Sequence, residues 1–184
     1  MIIAVVGLPG CGKTESSKFF INKGYHKVYF GDTTFDVMKQ RGLEINEQNE
    51  RATREGIRKE HGMAAYAILS YPKIKKLVDE GKNVLVESMY SWEEYIFLKE
   101  KFSDEEFKVV AIYSSPETRI KRLEHRKHER PLTRDETISR DYSQIANLHQ
   151  AGPIARADFT IVNETTHEHL HAELDKIYNV LTKR

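Results

Sequence analysis

The stretch Gly7-Leu8-Pro9-Gly10-Cys11-Gly12-Lys13-Thr14 matches the pattern G-x-x-x-x-G-K-[ST]. It follows a short β-branched run, Ile2 to Val6, which predicts a strand buried on both faces, and it runs into helix-like sequence from Lys13. A strand, a glycine-rich loop and a helix in this order predict a phosphate-binding loop. A glycine-rich turn that merely links the strand to the helix is the competing interpretation, which the complete match disfavours.

Each residue type of the loop has a task in binding a nucleoside triphosphate. Glycines let backbone N–H groups approach phosphate oxygens, and the following helix adds the positive end of its dipole. We expect Lys13 to reach the β- and γ-phosphates as a catalytic residue, and Thr14 to offer its hydroxyl to Mg²⁺. The expected cofactors are therefore ATP and Mg²⁺, bound by Gly7, Leu8, Pro9, Gly10, Cys11, Gly12, Lys13 and Thr14.

Strand-like and helix-like segments alternate through the rest of the chain. Four further strand-like runs cover residues 26–30, 83–87, 108–113 and 157–162, and the runs 83–87 and 108–113 are of the buried type. Together with the first strand they predict an α/β fold, in which a five-stranded parallel sheet carries helices on both faces in a single domain. Residues 47–81 are predicted to be mostly helical, with Pro72 separating or kinking two helical pieces.

Composition narrows the class of protein. The chain has 29 basic and 28 acidic residues and a net charge of +1, so the overall balance does not support nucleic-acid binding. No apolar stretch approaches the roughly 20 residues of a membrane span. Cys11 is the single cysteine, so it cannot form an internal disulfide, and whether it is a redox switch stays open. We expect a cytoplasmic monomer or homodimer that binds neither nucleic acid nor membrane.

Two carboxylates follow predicted strands and could share a site with the loop. Asp32 comes after the second strand and Glu87 ends the third, and the carboxyl ends of parallel strands meet at one sheet edge. Each could hold a water of the Mg²⁺ shell, so the predicted metal site comprises Thr14, Asp32 and Glu87. Asp32 could instead contact the substrate and accept a proton from an attacking hydroxyl, or it could only cap a helix.

Arginines form two clusters. The first shares one face of a predicted helix and could bind an anionic substrate, unless nearby glutamates simply pair with its members, Arg51, Arg54 and Arg58. The second lies in and before a charged segment that is predicted to be a mobile flap, and it comprises Arg119, Arg122, Arg126, Arg130 and Arg134. Arg122 and Arg126 are its predicted catalytic residues, which would close over the migrating phosphoryl group. An ordinary charged helix surface is the competing interpretation.

These residues together resemble the nucleoside monophosphate kinase group of P-loop proteins. The resemblance rests on the loop, on Gly31-Asp32 after the second strand, and on the arginine-rich segment before the last strand. The chain is also similar to a microbial family of adenylate-kinase-like proteins, through Arg54-Glu55-Gly56, Gly62-Met63-Ala64-Ala65, Ser115-Pro116-Glu117-Thr118-Arg119, and Ala157-Asp158 with Ile161-Val162-Asn163-Glu164. Dephospho-coenzyme A kinase shares the Ala-Asp strand start and the following Asn.

The resemblance implies a single P-loop kinase domain with two additions to its core. The acceptor-binding insertion would be about residues 33–80 and the lid about residues 125–150, whereas the core would comprise about residues 1–32, 81–124 and 151–184. The resemblance also implies that the turn after Val162, with Asn163, forms part of the adenine pocket.

The implied activity is transfer of the γ-phosphate of ATP to a nucleotide or nucleoside-like acceptor, with a nucleoside monophosphate as the first choice. The sequence departs from the adenylate-kinase pattern where Asp-Gly is followed by an acceptor-binding Arg, because here the stretch is Glu87-Ser88-Met89-Tyr90-Ser91. The acceptor therefore stays open. Dephospho-coenzyme A or another hydroxyl acceptor would gain from Asp32 as a base. An ATP-binding or ATP-hydrolysing switch or interaction protein would need no small acceptor at all.

Overall fold

A computed structural model of the chain describes residues 1–103, 106–126 and 131–183. Within these ranges five parallel strands form one sheet, with the spatial order β2-β3-β1-β4-β5. The strands are β1 (Ile2–Val6), β2 (His26–Tyr29), β3 (Val84–Glu87), β4 (Phe107–Tyr113) and β5 (Phe159–Val162). The predicted α/β fold class and its five-stranded parallel sheet are thus confirmed.

Helices connect the strands and cover both faces of the sheet. In the described ranges they are α1 (Lys13–Asn22), α2 (Asp32–Gln40), α3 (Glu47–His61), α4 (Ala65–Asp79), α5 (Trp92–Lys101), α6 (Pro116–Glu124), α7 (Arg134–Ala146), α8 (Ala151–Ala155) and α9 (His167–Thr182). None of these helices is long and apolar enough to cross a membrane.

The buried strand β1 divides the apolar residues into two cores. Its residues Ile2, Ala4 and Val6 belong to the core that includes side chains of α4 and α5, whereas Ile3 and Val5 belong to the core with α1 and α9. Successive side chains of a strand point to opposite faces, so a strand between two cores must be apolar at every position. This is why the run from Ile2 to Val6 is continuous rather than alternating.

The sheet register determines which residues meet at the carboxyl edge of the sheet. β3 lies between β2 and β1, and Glu87 at its end pairs with Tyr29 on one side and with Val5 on the other. The loop that leaves β1 therefore emerges beside the last residue of β3. The sheet itself places the glycine-rich loop, Tyr29 and Glu87 at one carboxyl edge.

The prediction that Pro72 separates two helices is wrong. Helix α4 runs through Pro72 without interruption, and the chain reverses instead after α3. Gly62 ends α3 with a φ of 74°, a left-handed conformation that glycine adopts without steric cost. The signal for the helix boundary was therefore the glycine rather than the proline.

Half of the segment assigned to the lid, residues 134–146, forms helix α7. Helix α7 begins with a capping box, in which the Thr133 hydroxyl accepts a hydrogen bond from the N–H of Glu136 and the Glu136 carboxylate accepts one from the N–H of Thr133. Thr137 and Gln144 of this helix are buried. Arg130 lies outside the described residues, and the division of the chain into core, insertion and lid stays a prediction.

Candidate active site

The glycine-rich loop has a shape that its glycines make possible. Gly10 and Gly12 have φ values of 80° and 111°, which residues with a Cβ rarely adopt. A Cβ on Gly12 would also lie 2.5 Å from the amide nitrogen of Asn163. Gly12 is the N-cap of α1 and has no side chain that could bind the first N–H groups of the helix. Those groups are thus placed to bind an anion.

A cavity of about 480 Å³ lies over this loop, and we call it the loop cavity. The Lys13 ammonium, one of its lining groups, donates hydrogen bonds to the carbonyls of Gly7 at 2.7 Å and Leu8 at 3.1 Å. Further lining residues named as candidates from the sequence are Pro9, Gly10, Thr14, Glu87 and Arg126. The structure therefore brings the predicted phosphate-binding and metal-binding groups Lys13, Thr14 and Glu87 into one cavity.

A larger cavity of about 720 Å³, the side cavity, adjoins the loop cavity. It is bounded by β2, α2, α3 and α7, and its lining includes Phe30, Thr34, Phe35, Arg54, Arg58, Tyr66 and Glu94. Both cavities share the lining residues Tyr29, Ser88, Tyr90, Arg140 and Gln144. A molecule in the side cavity would therefore lie next to a molecule on the loop.

The arginines predicted on α3 are divided between the side cavity and solvent. Arg54 lines the cavity, 3.3 Å from the Glu50 carboxylate. Arg58 also lines it, with its guanidinium carbon 5.1 Å from the ring centroid of Tyr66. Arg51 points elsewhere, because its side chain is 74% exposed and lies 2.9 Å from Glu55. Two of the three predicted substrate-binding arginines thus meet at the cavity.

Glu94 places a buried carboxylate beside the same cavity. It accepts hydrogen bonds from the N–H groups of Tyr90 at 2.7 Å and Ser91 at 3.0 Å, and Ser91 completes a capping box at the start of α5. Burial raises the pKa of Glu94 to about 7, opposed by these two hydrogen bonds and by the charge of Arg58. The carboxyl group therefore changes its charge close to neutral pH.

A buried ion pair holds the loop from behind. Arg119 is 3% exposed, and its guanidinium donates to both carboxylate oxygens of Asp141, at 2.9 and 2.6 Å. The same group donates to the carbonyls of Pro9 at 3.1 Å and Ser114 at 3.2 Å. Because these partners lie on α7, on the loop and after β4, one side chain ties three parts of the site together.

The two arginines predicted to be catalytic lie in different places. Arg126 lines the loop cavity. Arg122 is directed to the loop backbone and its surroundings, since it donates to the Ser114 hydroxyl at 3.0 Å and to the Gly10 carbonyl at 3.5 Å. Arg126 therefore has access to the cavity, whereas Arg122 supports the loop.

The two carboxylates predicted to share the metal site, Glu87 and Asp32, also lie in different places. Glu87 lines the loop cavity and lies 3.3 Å from the Lys27 ammonium. Asp32 begins α2 and lies 3.8 Å from Lys73, with a side chain that is 52% exposed and outside the lining of both cavities. No three His, Cys, Asp or Glu side chains in the described ranges form a metal-binding cluster. The hydroxyl of Thr14 and the carboxylate of Glu87 are the hard oxygen donors that fit Mg²⁺ held mainly by phosphates.

Two buried amides support the loop from the side of β5 and α8. Asn163 donates to the Cys11 carbonyl at 2.8 Å, and the backbone N–H of Asn163 donates to Tyr113 at 2.7 Å. Gln150 is fully buried and donates to the Gly7 carbonyl at 3.1 Å. The observed contacts of Asn163 are therefore with the loop, and its predicted place in an adenine pocket stays a prediction.

Several cavity residues were missed by the sequence analysis. Arg140 and Gln144 stand four residues apart on one face of α7, and the Thr133-x-x-Glu136 pattern could have indicated that helix. Ser91-x-x-Glu94 has the same capping-box spacing and could have marked the start of α5. Local patterns in the sequence thus indicated where these helices begin, but not the direction in which their side chains face.

Comparisons with known proteins identify a family model and relatives that this chain resembles. Residues 3–147 match a family model described as AAA domain. The UPF0200 protein of Pyrococcus furiosus is 34% identical over 182 residues, which cover 98% of this chain and 97% of the relative.

Solved structures with the same fold include two kinases. A shikimate kinase from Bacteroides thetaiotaomicron has a TM-score of 0.59 at 14% identity, with 98% of each chain covered. A dephospho-CoA kinase from Campylobacter jejuni has a TM-score of 0.58 at 15% identity, with 100% of this chain and 98% of that chain covered. At these identities the likeness shows the fold.

We predict that Asp141→Ala lowers the free energy of unfolding by about 3–5 kcal/mol, because it leaves the buried Arg119 guanidinium without its charged partner. Glu117→Ala is the matched control. It breaks the exposed pair with Arg134, at 2.9 Å, and should cost about 1 kcal/mol or less. Chemical denaturation of the three proteins measures both values, and equal losses in the two variants would contradict a structural role for the buried pair.

We predict that Glu94→Gln removes a pH dependence of stability. The folded protein, with a pKa of about 7 at Glu94 against an ordinary value of 4.5, holds a proton that the unfolded chain releases between these values. The stability of the wild type should therefore fall as the pH rises through this window and then level off. Glutamine preserves the capping box, so the variant should gain about 3 kcal/mol relative to the wild type from about pH 4.5 to about pH 7. The free energy of unfolding of both proteins is measured across this pH range. If it changed with pH in the same way in the wild type and in the variant, the raised pKa would be contradicted.

Proposed function

The chain belongs to the AAA domain family and to the UPF0200 family, and on that premise we propose that it is an ATP-dependent phosphotransferase for a small anionic acceptor. Its fold is that of P-loop kinases. The observation that carries the proposal is the contact between the two cavities, which share five lining residues. One cavity lies on a phosphate-binding loop and the other is open to a second molecule.

The loop cavity suits the triphosphate of ATP. The uncapped N–H groups at the start of α1 and the ammonium of Lys13 supply hydrogen bonds and positive charge to phosphate oxygens. Thr14 and Glu87 would hold Mg²⁺ directly or through water. When bound, the metal would offset the negative charge that develops during transfer.

The side cavity suits an acceptor that is both anionic and planar. Arg54, Arg58 and Arg140 line it and attract negative charge. Aromatic side chains on the same lining can stack on a base, namely Tyr29, Phe30, Phe35, Tyr66 and Tyr90. The volume of about 720 Å³ lies within the range of pockets for small molecules. We therefore propose a nucleoside monophosphate as the acceptor.

Transfer takes place where the cavities meet. An oxygen of the acceptor phosphate attacks the γ-phosphorus of ATP, and the bond from phosphorus to the bridging oxygen breaks with release of ADP. The attacking oxygen is already ionised, so no general base is needed. Lys13, Arg126 and Arg140 line the loop cavity and supply positive charge to the migrating group.

A hydroxyl acceptor is the second candidate, and one observation favours it. Glu94, with a pKa of about 7, lines the side cavity and could accept a proton there. Asp32, the base predicted from the sequence, lies beside Lys73 instead. In this alternative the proton acceptor would be Glu94 rather than Asp32.

The proposal is tested with ATP labelled at the γ-phosphate and a panel of nucleoside monophosphates, nucleosides and dephospho-coenzyme A. We expect label in a nucleoside monophosphate, and we expect Lys13→Ala to abolish transfer and weaken ATP binding because the phosphate charge loses its ammonium partner. Label only in hydroxyl compounds would favour the second candidate. ATP consumption without any labelled acceptor would contradict a kinase and indicate a switch or interaction protein.

Arg126 and Arg140 should matter more for rate than for ATP affinity. By analogy with arginines that stabilise phosphoryl transfer in other enzymes, Arg126→Ala and Arg140→Ala should each lower kcat by about 10³-fold. Arg156→Ala is the control, since Arg156 is exposed at the end of α8 and outside both cavities. The measurements are kcat and ATP affinity for each folded variant. Near-normal kcat in both cavity variants would contradict this role.

A further inference from the structure

Ser88 has an unusual backbone conformation at the place where the two cavities meet. It directly follows β3 and has a φ of 67°, in the left-handed region that residues with a Cβ rarely adopt. Among the described residues, the other non-glycine with positive φ is His149, at 55°. Ser88 lines both cavities, whereas His149 lines neither. Strained conformations of this kind concentrate at functional sites.

The Ser88 side chain belongs to a group of three hydroxyl-bearing side chains. The Tyr90 hydroxyl donates a hydrogen bond to Ser88 Oγ at 3.2 Å, and Tyr29, Ser88 and Tyr90 all line both cavities. Burial raises the pKa of Tyr29, with smaller contributions from the charges of Tyr90 and Glu87. Tyr29 therefore stays protonated at neutral pH and adds no negative charge near the phosphates.

Helix α7 supplies the remaining residues where the cavities meet. Arg140 brings a positive charge to both cavities. Gln144 is 8% exposed, and its side-chain oxygen is buried without a hydrogen-bond partner in the described protein. A molecule that spans both cavities would thus pass hydroxyl and guanidinium groups, which can donate hydrogen bonds to phosphate and acceptor oxygens, and an amide oxygen, which can accept one from an O–H or N–H group.

Serine at this position needs an explanation, because glycine would adopt the conformation without steric cost. What serine adds is a Cβ and a hydroxyl. The Cβ makes the left-handed backbone conformation less favourable. The hydroxyl is therefore the part of the residue that can offset this cost. Ser88 directly follows Glu87 in the chain, and both residues line the loop cavity.

We propose that Ser88 is a catalytic residue whose hydroxyl hydrogen-bonds the attacking oxygen of the acceptor, with Tyr90 as the positioning residue that orients this hydroxyl. The attacking oxygen gives its electron pair to the γ-phosphorus, and the electron pair of the broken bond leaves with ADP. Ser88 keeps its proton throughout. An attacking phosphate oxygen has no proton to lose, and an attacking water gives its proton to bulk water. The inference rests on the proposed phosphotransferase function.

Two substitutions separate the hydroxyl from the backbone conformation. Ser88→Ala removes the hydroxyl and keeps the Cβ, whereas Ser88→Gly removes both. We expect both to lower turnover about tenfold or more, as loss of a hydrogen bond to a charged oxygen does, with ATP affinity within about twofold of the wild type. Ser88→Gly should melt roughly 2–4 °C above Ser88→Ala because it relieves the left-handed conformation.

The assays are phosphate release from ATP, with water as the acceptor, and label transfer to the acceptor that the panel identifies. ATP affinity is measured by titration calorimetry and the melting temperature by a thermal scan. His149→Gly is the matched control for relief of a left-handed conformation outside both cavities, and it should leave turnover unchanged. Tyr90→Phe should lower kcat less than Ser88→Ala does and leave the KM for ATP unchanged.

Three outcomes would overturn the proposal. One is wild-type turnover in Ser88→Ala. Another is loss in Ser88→Ala with wild-type turnover in Ser88→Gly, which would assign the effect to the backbone. The last is a fall in ATP affinity that matches the fall in turnover, which would make Ser88 a support of the loop. A failure of the proposed function would show separately, as no labelled acceptor with the wild-type protein, while phosphate release still reports on Ser88.

Discussion

The burial of β1 between two cores requires a strand on each side of it and helices on each face of the sheet. β3 and β4 are those neighbouring strands, and the register of β3 puts Glu87 beside the end of β1. The glycine-rich loop has to leave the sheet at this edge, since β1 and α1 both pack tightly behind it. An apolar strand of five residues thus determines where the glycine-rich loop leaves the sheet.

Polar contacts then fix the loop on this frame. Arg119, Asn163 and Gln150 each donate a hydrogen bond to a loop carbonyl, and all three are buried. Buried polar groups are costly unless they are paired, so each contact favours one loop conformation over its alternatives. The binding groups are therefore preorganised, and a ligand need not supply the free energy to order them.

The sequence was sufficient for the fold because its signals are local. Continuous apolar runs, a complete loop motif and glycine positions predict strands, the loop and helix ends without knowledge of distant contacts. The prediction of a helix boundary at Pro72 was wrong because tertiary packing can retain a proline inside a helix. The site was harder to predict, since helix phase decides that Arg54 and Arg58 line the side cavity while Arg51 meets solvent.

Local signals in the sequence could not predict which residues of distant elements meet at the site. Arg140 and Glu94 come to the same cavity only because the fold brings α7 and α5 to it, and no spacing in the sequence encodes that meeting. The carboxyl-edge rule placed Glu87 correctly at the sheet edge, as a residue of a strand. It could not fix the direction of Asp32, which belongs to the first turn of a helix.

Neighbouring residues of α7 connect the two cavities energetically. Asp141 is bonded to the arginine behind the loop, and Arg140, one position earlier, lines both cavities. A displacement of α7 would therefore disturb the loop and the side cavity together. Thermodynamic linkage is reciprocal, so if one ligand favours this position of α7, it strengthens binding of the other by the same factor in either order of addition. Any such cooperativity between two ligands would thus depend on one turn of α7.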